Sequence, residues 1–221
     1  MSKEEKIEAW IKALSACEAC ALRREGNRGP TRFSGTADSP LMLVGEGPGG
    51  VEDIYGVPLV GPSGQLLDKA LWSVGVTRDR IYVTNIVKCR PKANRTPSDE
   101  EGRFCADRHL RQEIALVRPS VIVALGKVAL HYFHDGEGSI MRMRGQWLDW
   151  EGIPVMPTYH PAFLLRKTGQ DLVDAKWQVY YDLKAAVEKA NELAPGVSLK
   201  GKNITNLLDM YHSLKLQRQN Q

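Results

Sequence analysis

Four cysteines have the most distinctive spacing of any residue type in this chain. Cys17 and Cys20 form a C-x-x-C pair, Cys89 lies in KCRP, and Cys105 lies further along the chain. An even number of thiols with one close pair is typical of a four-thiolate metal centre, which holds either an iron–sulfur cluster or zinc. The long gap between Cys20 and Cys89 favours the cluster, because both cysteine pairs of a zinc ribbon are close in sequence. The alternative is a set of buried thiols with a chance C-x-x-C pair.

Three polar residues form a second chemically active group, because each follows a hydrophobic run. Glu46 comes directly after LMLVG, Asn85 ends IYVTN, and His160 ends IPVMPTYH. A carboxylate, an amide and an imidazole can together stabilise charge and recognise a polar ligand through hydrogen bonds. Taken singly, each has a structural alternative, namely a solvated loop acid, a turn-forming asparagine and the cap of a strand end.

Glycines surround Glu46 in the sequence GEGPGG. Gly45, Gly47, Gly49 and Gly50 fit positions where the backbone approaches a ligand closely or adopts a positive φ angle. This loop matches neither a Walker loop nor a G-x-G-x-x-G fingerprint, so on its own it indicates little. Its interpretation depends on the segments that follow the other hydrophobic runs.

Four short apolar runs predict the strands that position these residues: 41–45, 81–85, 120–126 and 153–160. Continuous apolar runs are typical of strands covered on both faces, as in a parallel sheet. Helical spacing after Ser63, a capping box of Ser98 and Glu101 that opens a helix through about Val117, and the segment 171–193 predict helices between and after the strands.

The predicted fold is therefore a three-layer α/β/α sandwich with a central, mainly parallel four-stranded sheet. Ligands of open parallel sheets bind outside the carboxyl ends of the strands. We therefore expect Glu46, Asn85 and His160 to face one cleft.

Length and composition indicate one domain, because 221 residues with 43% hydrophobic content can bury a substantial core. We place this domain at 1–194 and a C-terminal tail at 195–221, where apolar residues between Ile204 and Leu214 predict one peripheral amphipathic helix. The net charge of +4 is modest, so nucleic-acid binding would need local basic clusters. Lys88, Arg90, Lys92 and Arg95 form such a cluster, with a solvated rim as the alternative interpretation.

No apolar run approaches the ~20 residues that a membrane-spanning helix needs. The N-terminal sequence MSKEEKIEAW is charged and helix-like rather than typical of a signal peptide. We therefore expect a cytoplasmic protein without membrane contact, and we expect a monomer.

Several motifs together resemble the family 4 uracil-DNA glycosylases, which are iron–sulfur enzymes of bacteria and archaea. They are GEGPGGVED, GVPLVGPSGQLLD, NIVKCRPKANRTPSDEE with Cys105, and YHPAFLLR. The resemblance covers about residues 16–183 in the right order and spacing. It implies an α/β/α glycosylase fold, a [4Fe-4S] cluster on Cys17, Cys20, Cys89 and Cys105, and excision of uracil from single- or double-stranded DNA.

The resemblance also implies roles for the cleft residues. Glu46, with Glu52 behind it, would favour the positively charged sugar and orient water, and His160 would donate a hydrogen bond to uracil O2 as charge builds there. Asn85 would pair with O4 and N3–H of uracil and leave cytosine mismatched. The expected substrate-binding residues are Gly45, Gly47, Gly49, Leu59 and Asn85.

The loop HPAFLLR is the expected DNA-binding element. Phe163, Leu164 and Leu165 are by default the first turn of a buried helix. The resemblance implies instead that Leu164 or Leu165 fills the space of the flipped nucleotide and that Arg166 lies near a phosphate. Arg95, from the basic cluster, is the further expected DNA-binding residue.

One residue departs from the family pattern, because Leu59 stands where family 4 members usually have phenylalanine. An aliphatic side chain loses the stacking of an aromatic ring on the base. Two alternatives to uracil excision follow. One is a glycosylase for another deaminated base, hypoxanthine or xanthine, and the other is a non-catalytic iron–sulfur module that binds DNA and contacts a replication or repair protein through its C-terminal tail.

Overall fold

The computed structural model describes residues 1–136 and 138–201 of the chain. These residues form a six-stranded sheet in the order β1-β3-β2-β4-β6-β5. The strands are β1 (Ser34–Gly35), β2 (Leu41–Gly45), β3 (Tyr82–Asn85), β4 (Val121–Leu125), β5 (Leu148–Trp150) and β6 (Ile153–Thr158).

Helices cover both faces of the sheet. They are α1 (Lys3–Ser15), α2 (Gly50–Tyr55), α3 (Pro62–Ser73), α4 (Asp99–Cys105), α5 (Arg111–Val117), α6 (Lys127–Phe133), α7 (Ile140–Met143), α8 (Pro161–Leu164) and α9 (Gly169–Leu193). A π-helical turn (Ala106–Leu110) joins α4 to α5. None of the described helices is long and apolar enough to span a bilayer.

The four predicted strands are the parallel centre of this sheet, with β2 paired to β3 and β4, and β4 paired to β6. The α/β/α class is therefore confirmed. The strand count was wrong, because β1 and β5 add short antiparallel edges that the apolar pattern did not indicate. Both edge strands are too short to give a periodic signal.

Alternation along the strands divides the core into two layers. Leu41 and Leu43 of β2 face the layer that includes α3, α8 and α9, whereas Met42 and Val44 face the layer that includes α4, α5 and α6. Successive side chains of a strand point to opposite faces, so a strand buried on both sides is apolar throughout. This is why LMLVG has no polar alternation.

The helix predicted from Ser98 to Val117 is interrupted. Ser98 caps α4 as expected, since its hydroxyl accepts from Glu101 N and the Glu101 carboxylate accepts from Ser98 N. The helical path then widens to a π turn directly after Cys105. Such turns are rare and often lie at functional sites.

The expected boundary at residue 195 does not end the packed chain. Leu199 is buried in the core layer of α3 and α9, and Gly201 N donates to Thr77 Oγ1 at 2.7 Å. The rest of the predicted tail, including its amphipathic helix, lies outside the described residues. The division into domain and tail stays a prediction.

A buried ion pair links the loop after β3 to α5. Lys88 is 1% exposed and Glu113 is fully buried, and the Lys88 ammonium contacts the Glu113 carboxylate. Tyr82 and Thr84 donate to the same carboxylate at 2.9 and 2.8 Å, and Lys88 Nζ donates to Thr84 Oγ1 at 2.6 Å. Buried charges need this degree of pairing, because desolvation of each ion is costly.

Substitution of Glu113 should therefore destabilise the fold. Glu113→Gln keeps the shape of the side chain and leaves the Lys88 charge buried without a counterion, so we expect a loss of about 3–5 kcal/mol in the free energy of unfolding. Denaturant titration measures it. Glu151→Gln is the matched control, because Glu151 pairs with Arg111 at the surface, where such pairs contribute about 0–1 kcal/mol. Equal losses in the two variants would contradict a structural role for the buried pair.

Candidate active site and thiol cluster

The carboxyl ends of the parallel strands border a cleft of about 250 Å³. Gly45 ends β2 and Asn85 ends β3, while Gly126 and His160 follow β4 and β6. The side chains and backbone that line the cleft come from these ends and the adjoining loops: Glu46, Gly47, Pro48, Gly49, Glu52, Leu59, Ser63, Pro91, Asn94, Arg95, Pro97, His160 and Ala162.

Asn85 is 1% exposed, and neither polar atom of its amide has a hydrogen-bond partner among the described residues. Its Oδ1 lies so close to Gly45 that a Cβ atom there would collide with it. Buried polar groups are nearly always paired, so an unpaired amide needs a specific explanation. A ligand that offers one acceptor and one donor would satisfy both atoms.

Leu59 lies beside this amide. Its Cδ1 is 3.6 Å from the Cβ position of Gly45, and its side chain is 4% exposed. Its φ angle of 52° is unusual for a residue with a branched side chain. The backbone of Leu59 packs directly against Gly64, where a Cβ atom would collide with the Leu59 carbonyl.

Glu52 connects two loops of the cleft. Its Oε1 accepts from Val60 N at 3.0 Å and from Gly61 N at 2.8 Å, and its Oε2 accepts from Gly49 N at 3.1 Å. Gly49 also leaves room for this carboxylate, since a Cβ atom there would lie 2.7 Å from Oε2. Because three backbone amides already donate to its two carboxylate oxygens, a positioning role for Glu52 is favoured over direct contact with a ligand.

Glu46, in contrast, has few partners and faces the cleft. Burial raises the pKa of its carboxyl, whereas the Arg166 cation and a hydrogen bond with the Thr96 hydroxyl act in the opposite direction. A partly buried carboxylate beside an open cavity can respond to charge that develops in a ligand.

His160 caps the N-terminus of α8 through its ring. Its Nδ1 accepts from Ala162 N at 3.1 Å, so the proton of the neutral ring is assigned to Nε2. Burial and, to a smaller extent, the nearby Arg166 cation together lower the pKa of His160 to about 4. The ring is therefore a neutral hydrogen-bond donor at neutral pH. Gly126, with φ at 87°, packs against it, since a Cβ atom there would be 2.9 Å from His160 Cβ.

The loop after β6 divides its two leucines between core and surface. Leu164 is 4% exposed and packs in the layer of α3 and α9, whereas Leu165 is 50% exposed. Leu164 is thus not placed to reach DNA, because the turn of α8 directs it inward. Leu165 and the exposed Arg166 remain available at the surface.

Two basic residues of the predicted cluster, Arg95 and Lys88, have carboxylate partners. Arg95 contacts both Glu25 and Glu101, at 2.6 and 2.7 Å, so its charge is already balanced. Lys88 is buried against Glu113 and does not line the cleft. Neither arrangement has a simple sequence signal, because Glu25 lies 70 residues from Arg95 and Glu113 lies 25 residues from Lys88.

The four cysteines are free thiols that lie close enough to influence one another. Burial and the charges of Cys105, Cys20 and Cys17 together raise the pKa of Cys89 to about 12, although the Arg23 cation acts in the opposite direction. Lys88 N donates to Cys105 Sγ at 3.4 Å. Within residues 1–136 and 138–201, no three ligand side chains converge on a single metal ion.

This thiol cluster has a further neighbour that sequence reasoning missed. His109 lies on the π turn, and its Nε2 is 3.2 Å from Cys17 Sγ. Buried thiolates that together carry negative charge are stabilised by N–H donors of this kind. The π turn has no simple sequence signal, so His109 could not have been assigned from spacing. Gly126 was missed for a similar reason, since it acts through a contact with the distant side chain of His160.

Comparison with known proteins gives consistent matches. The family model described as the uracil DNA glycosylase superfamily matches residues 33–184. A type-4 uracil-DNA glycosylase of Thermotoga maritima is 41% identical over 77% of this chain and 89% of that protein. The type-4 enzymes of Archaeoglobus fulgidus and Sulfurisphaera tokodaii are each 35% identical, over 73% and 75% of this chain and 84% and 77% of those proteins.

Proposed function

This chain belongs to the type-4 uracil-DNA glycosylases of the uracil-DNA glycosylase superfamily, and we propose that it flips uracil out of DNA and hydrolyses its N-glycosidic bond. The product is DNA with an abasic site. An enzyme that acts on a base within DNA must take that base out of the stack into a pocket. The observation that carries the proposal is the buried amide of Asn85 at the carboxyl end of β3, which has no hydrogen-bond partner among the described residues.

Asn85 accounts for the choice of base. Its Nδ2 would donate to uracil O4, and its Oδ1 would accept from uracil N3–H. Cytosine presents an amino donor and an unprotonated nitrogen at these positions, so both contacts would be lost. Sites that leave buried polar groups unpaired with the wrong ligand discriminate strongly.

His160 and Glu46 account for the chemistry. The Nε2–H of neutral His160 would donate to uracil O2, and this bond strengthens as the departing base becomes an anion. The Glu46 carboxylate would stabilise positive charge on the sugar and orient the attacking water. Glu52 would hold the loop that carries Glu46 in place. Gly45, Gly47 and Gly49 would act through their backbones, which would approach the base and the sugar.

Leu165 and Arg166 are the groups that we assign to the DNA. Leu165 would fill the space that the flipped nucleotide leaves, and Arg166 would contact a phosphate. The lysine nearest to the cleft motifs, Lys88, is bound to Glu113, which supports simple hydrolysis without a covalent lysine intermediate. We further propose a cytoplasmic monomer. Contact of residues 195–221 with a replication or repair protein stays a prediction.

The four cysteines fit a [4Fe-4S] cluster. All four are free, Cys89 and Cys105 are buried, and backbone and imidazole nitrogens approach two of the sulfur atoms. Cys17, Cys20, Cys89 and Cys105 would be its ligands. When bound, the cluster would supply a rigid link between the N-terminal segment and the loop after β3, rather than redox chemistry.

The cluster makes a direct prediction. Protein purified without air should be brown and contain iron and inorganic sulfide, because thiolate-bound iron absorbs visible light and zinc does not. Iron and sulfide analysis with the absorption spectrum measures this. Cys89→Ser should lose iron, whereas the exposed Ser73→Ala is a control that should not. A colourless protein loaded with zinc would contradict the cluster and leave the glycosylase proposal intact.

Uracil excision is tested on oligonucleotides that contain one uracil, hypoxanthine or xanthine. We expect free uracil and an uncut abasic site from single- or double-stranded DNA, and little release of the purines, because Asn85 matches uracil. His160→Ala should lower the single-turnover rate by about 10²–10³-fold, as loss of one anion-stabilising donor does. Preference for a purine would favour the enzyme for another deaminated base. A rate in His160→Ala equal to that of an exposed control, His134→Ala, would favour the non-catalytic module.

Leu59 gives a separate prediction. Leu59→Phe should restore an aromatic surface against the base and tighten binding of uracil DNA by at most roughly 1–3 kcal/mol, the contribution of one stacked base. Titration of uracil DNA against the variant under single-turnover conditions measures the change. Trp72→Phe at an exposed site of α3 is the control. Loss of activity in Leu59→Phe would instead indicate that another side chain occupies the position we assign to the base.

A further inference from the structure

Glu52 holds two segments of the cleft wall together. It lines the cleft and is 8% exposed. One carboxylate oxygen, Oε2, accepts from Gly49 N at 3.1 Å in the loop after β2. The other oxygen, Oε1, accepts from Val60 N at 3.0 Å and from Gly61 N at 2.8 Å. These last two amides belong to residues 57–61, between α2 and α3, which we call the pocket loop. Glu52 therefore ties the pocket loop to the loop that follows β2.

The pocket loop has a strained backbone at Leu59. The φ angle of 52° lies in the left-handed region, which is unfavourable for a residue with a Cβ atom. Such a conformation persists only where the surrounding structure holds it. The two amides that Glu52 binds directly follow Leu59 in the chain. In α3, Gly64 leaves the space that the Leu59 carbonyl occupies, because a Cβ atom there would collide with it. Two separate contacts therefore hold this backbone.

The side chain of Leu59 lies beside the amide of Asn85. Leu59 lines the cleft and is 4% exposed. Its Cδ1 is 3.6 Å from the Cβ position at Gly45, and a Cβ atom there would also collide with Asn85 Oδ1. The wall that Leu59 forms therefore meets the Asn85 amide, which has no partner among the described residues, at the same glycine. The space for a ligand beside Asn85 depends on where the pocket loop holds Leu59.

We propose that Glu52 is a positioning residue that sets the selectivity for the base, because it fixes Leu59 as the wall of the pocket beside Asn85. Glu52 itself would not touch the base. Both of its carboxylate oxygens already accept from backbone amides, which favours this role over the catalytic one that the resemblance implied. The inference rests on the proposed function, since it takes the ligand beside Asn85 as a flipped uracil.

Thymine is the probe for this wall. It presents the same O4 and N3–H to Asn85 as uracil and differs by one methyl group. Its rejection therefore reports the space in the pocket rather than the match to the amide. One such group in an apolar pocket changes discrimination by about 10–200-fold. The measurement is the ratio of single-turnover rates on one oligonucleotide with either uracil or thymine at the target position and no other thymine.

Glu52→Gln keeps the size of the side chain but replaces one acceptor oxygen with a donor NH₂ group, so it cannot bind all three amides. We expect the uracil-to-thymine ratio to fall about tenfold, because a displaced Leu59 no longer excludes the methyl group. Asp53→Asn is the matched control. Asp53 is also buried in α2, but its carboxylate accepts from Arg28 N at 2.9 Å, so the ratio should not change. Equal loss of rate on both bases in Glu52→Gln would indicate catalysis by Glu52 and overturn the inference.

Leu59→Gly tests whether Glu52 acts through Leu59. Glycine adopts a φ angle of this sign without strain and has no side chain to form the wall. We therefore expect Leu59→Gly to lower the ratio by itself, and Glu52→Gln to lower it no further in that background. Independent, additive effects of the two substitutions would show that Glu52 acts by a route without Leu59, against the inference.

Gly64→Ala displaces Leu59 by a route that leaves Glu52 intact. The new Cβ atom would collide with the Leu59 carbonyl, so we expect the ratio to fall as in Glu52→Gln. This variant keeps the inference testable if Glu52→Gln does not fold. An unchanged ratio in folded Gly64→Ala protein would overturn the role of Leu59 as the wall.

A nuclear Overhauser measurement makes the inference independent of activity. Because Leu59 Cδ1 lies 3.6 Å from the Cβ position at Gly45, the wild type should show a cross-peak between the Leu59 methyl protons and the Gly45 α protons. The methyl resonance is identified as the one that Leu59→Gly removes. The cross-peak should be lost in Glu52→Gln and kept in Asp53→Asn, and its retention in Glu52→Gln would overturn the inference. Absence of uracil release from the wild type, together with a lost cross-peak, would overturn only the proposed function.

Discussion

The buried pair of Lys88 and Glu113 is the constraint on which the rest of the site depends. Lys88 lies between Asn85, at the carboxyl end of β3, and Cys89, in the thiol cluster. Thr84 joins the same network from the strand itself. A buried ion pair contributes little net stability compared with apolar packing, but it has few alternative arrangements. We interpret it as the contact that fixes the path of this loop, so that the amide and the thiol occupy defined positions together.

Glu46 and Glu52 lie in the same loop of the cleft but have different surroundings. Glu52 is held by three backbone amides and joins the loop after β2 to the residues around Val60. Glu46 has no such anchor, and burial raises its pKa while it faces the cavity. The environment of each residue, rather than its type, sets its role. Gly49, between them, leaves room for this anchor, because a Cβ atom there would displace the Glu52 carboxylate.

A single stretch of chain connects the thiol cluster to the cleft. From β3 onward it carries Asn85, Cys89, Arg95, and Cys105 at the end of α4. Glu25, which pairs with Arg95, belongs to the N-terminal segment that also carries Cys17 and Cys20. The thiol cluster and the cleft are therefore joined both along the chain and through the Glu25–Arg95 ion pair.

The sequence by itself determined the parallel strands and the four thiols. It also placed Glu46, Asn85 and His160 after the ends of those strands, where the structure has Glu46 and His160 in the lining of the cleft and Asn85 buried at the end of β3. Continuous apolar runs indicate buried parallel strands, and the carboxyl ends of parallel strands lie at the same edge of a sheet. Both arguments apply without knowledge of how the side chains pack. The tertiary structure alone decided that Leu165, rather than Leu164, is exposed and that Arg95 is paired with carboxylates. These outcomes depend on one turn of α8 and on side chains from distant segments. Burial and pairing are properties of the packed chain, so no spacing in the sequence reports them.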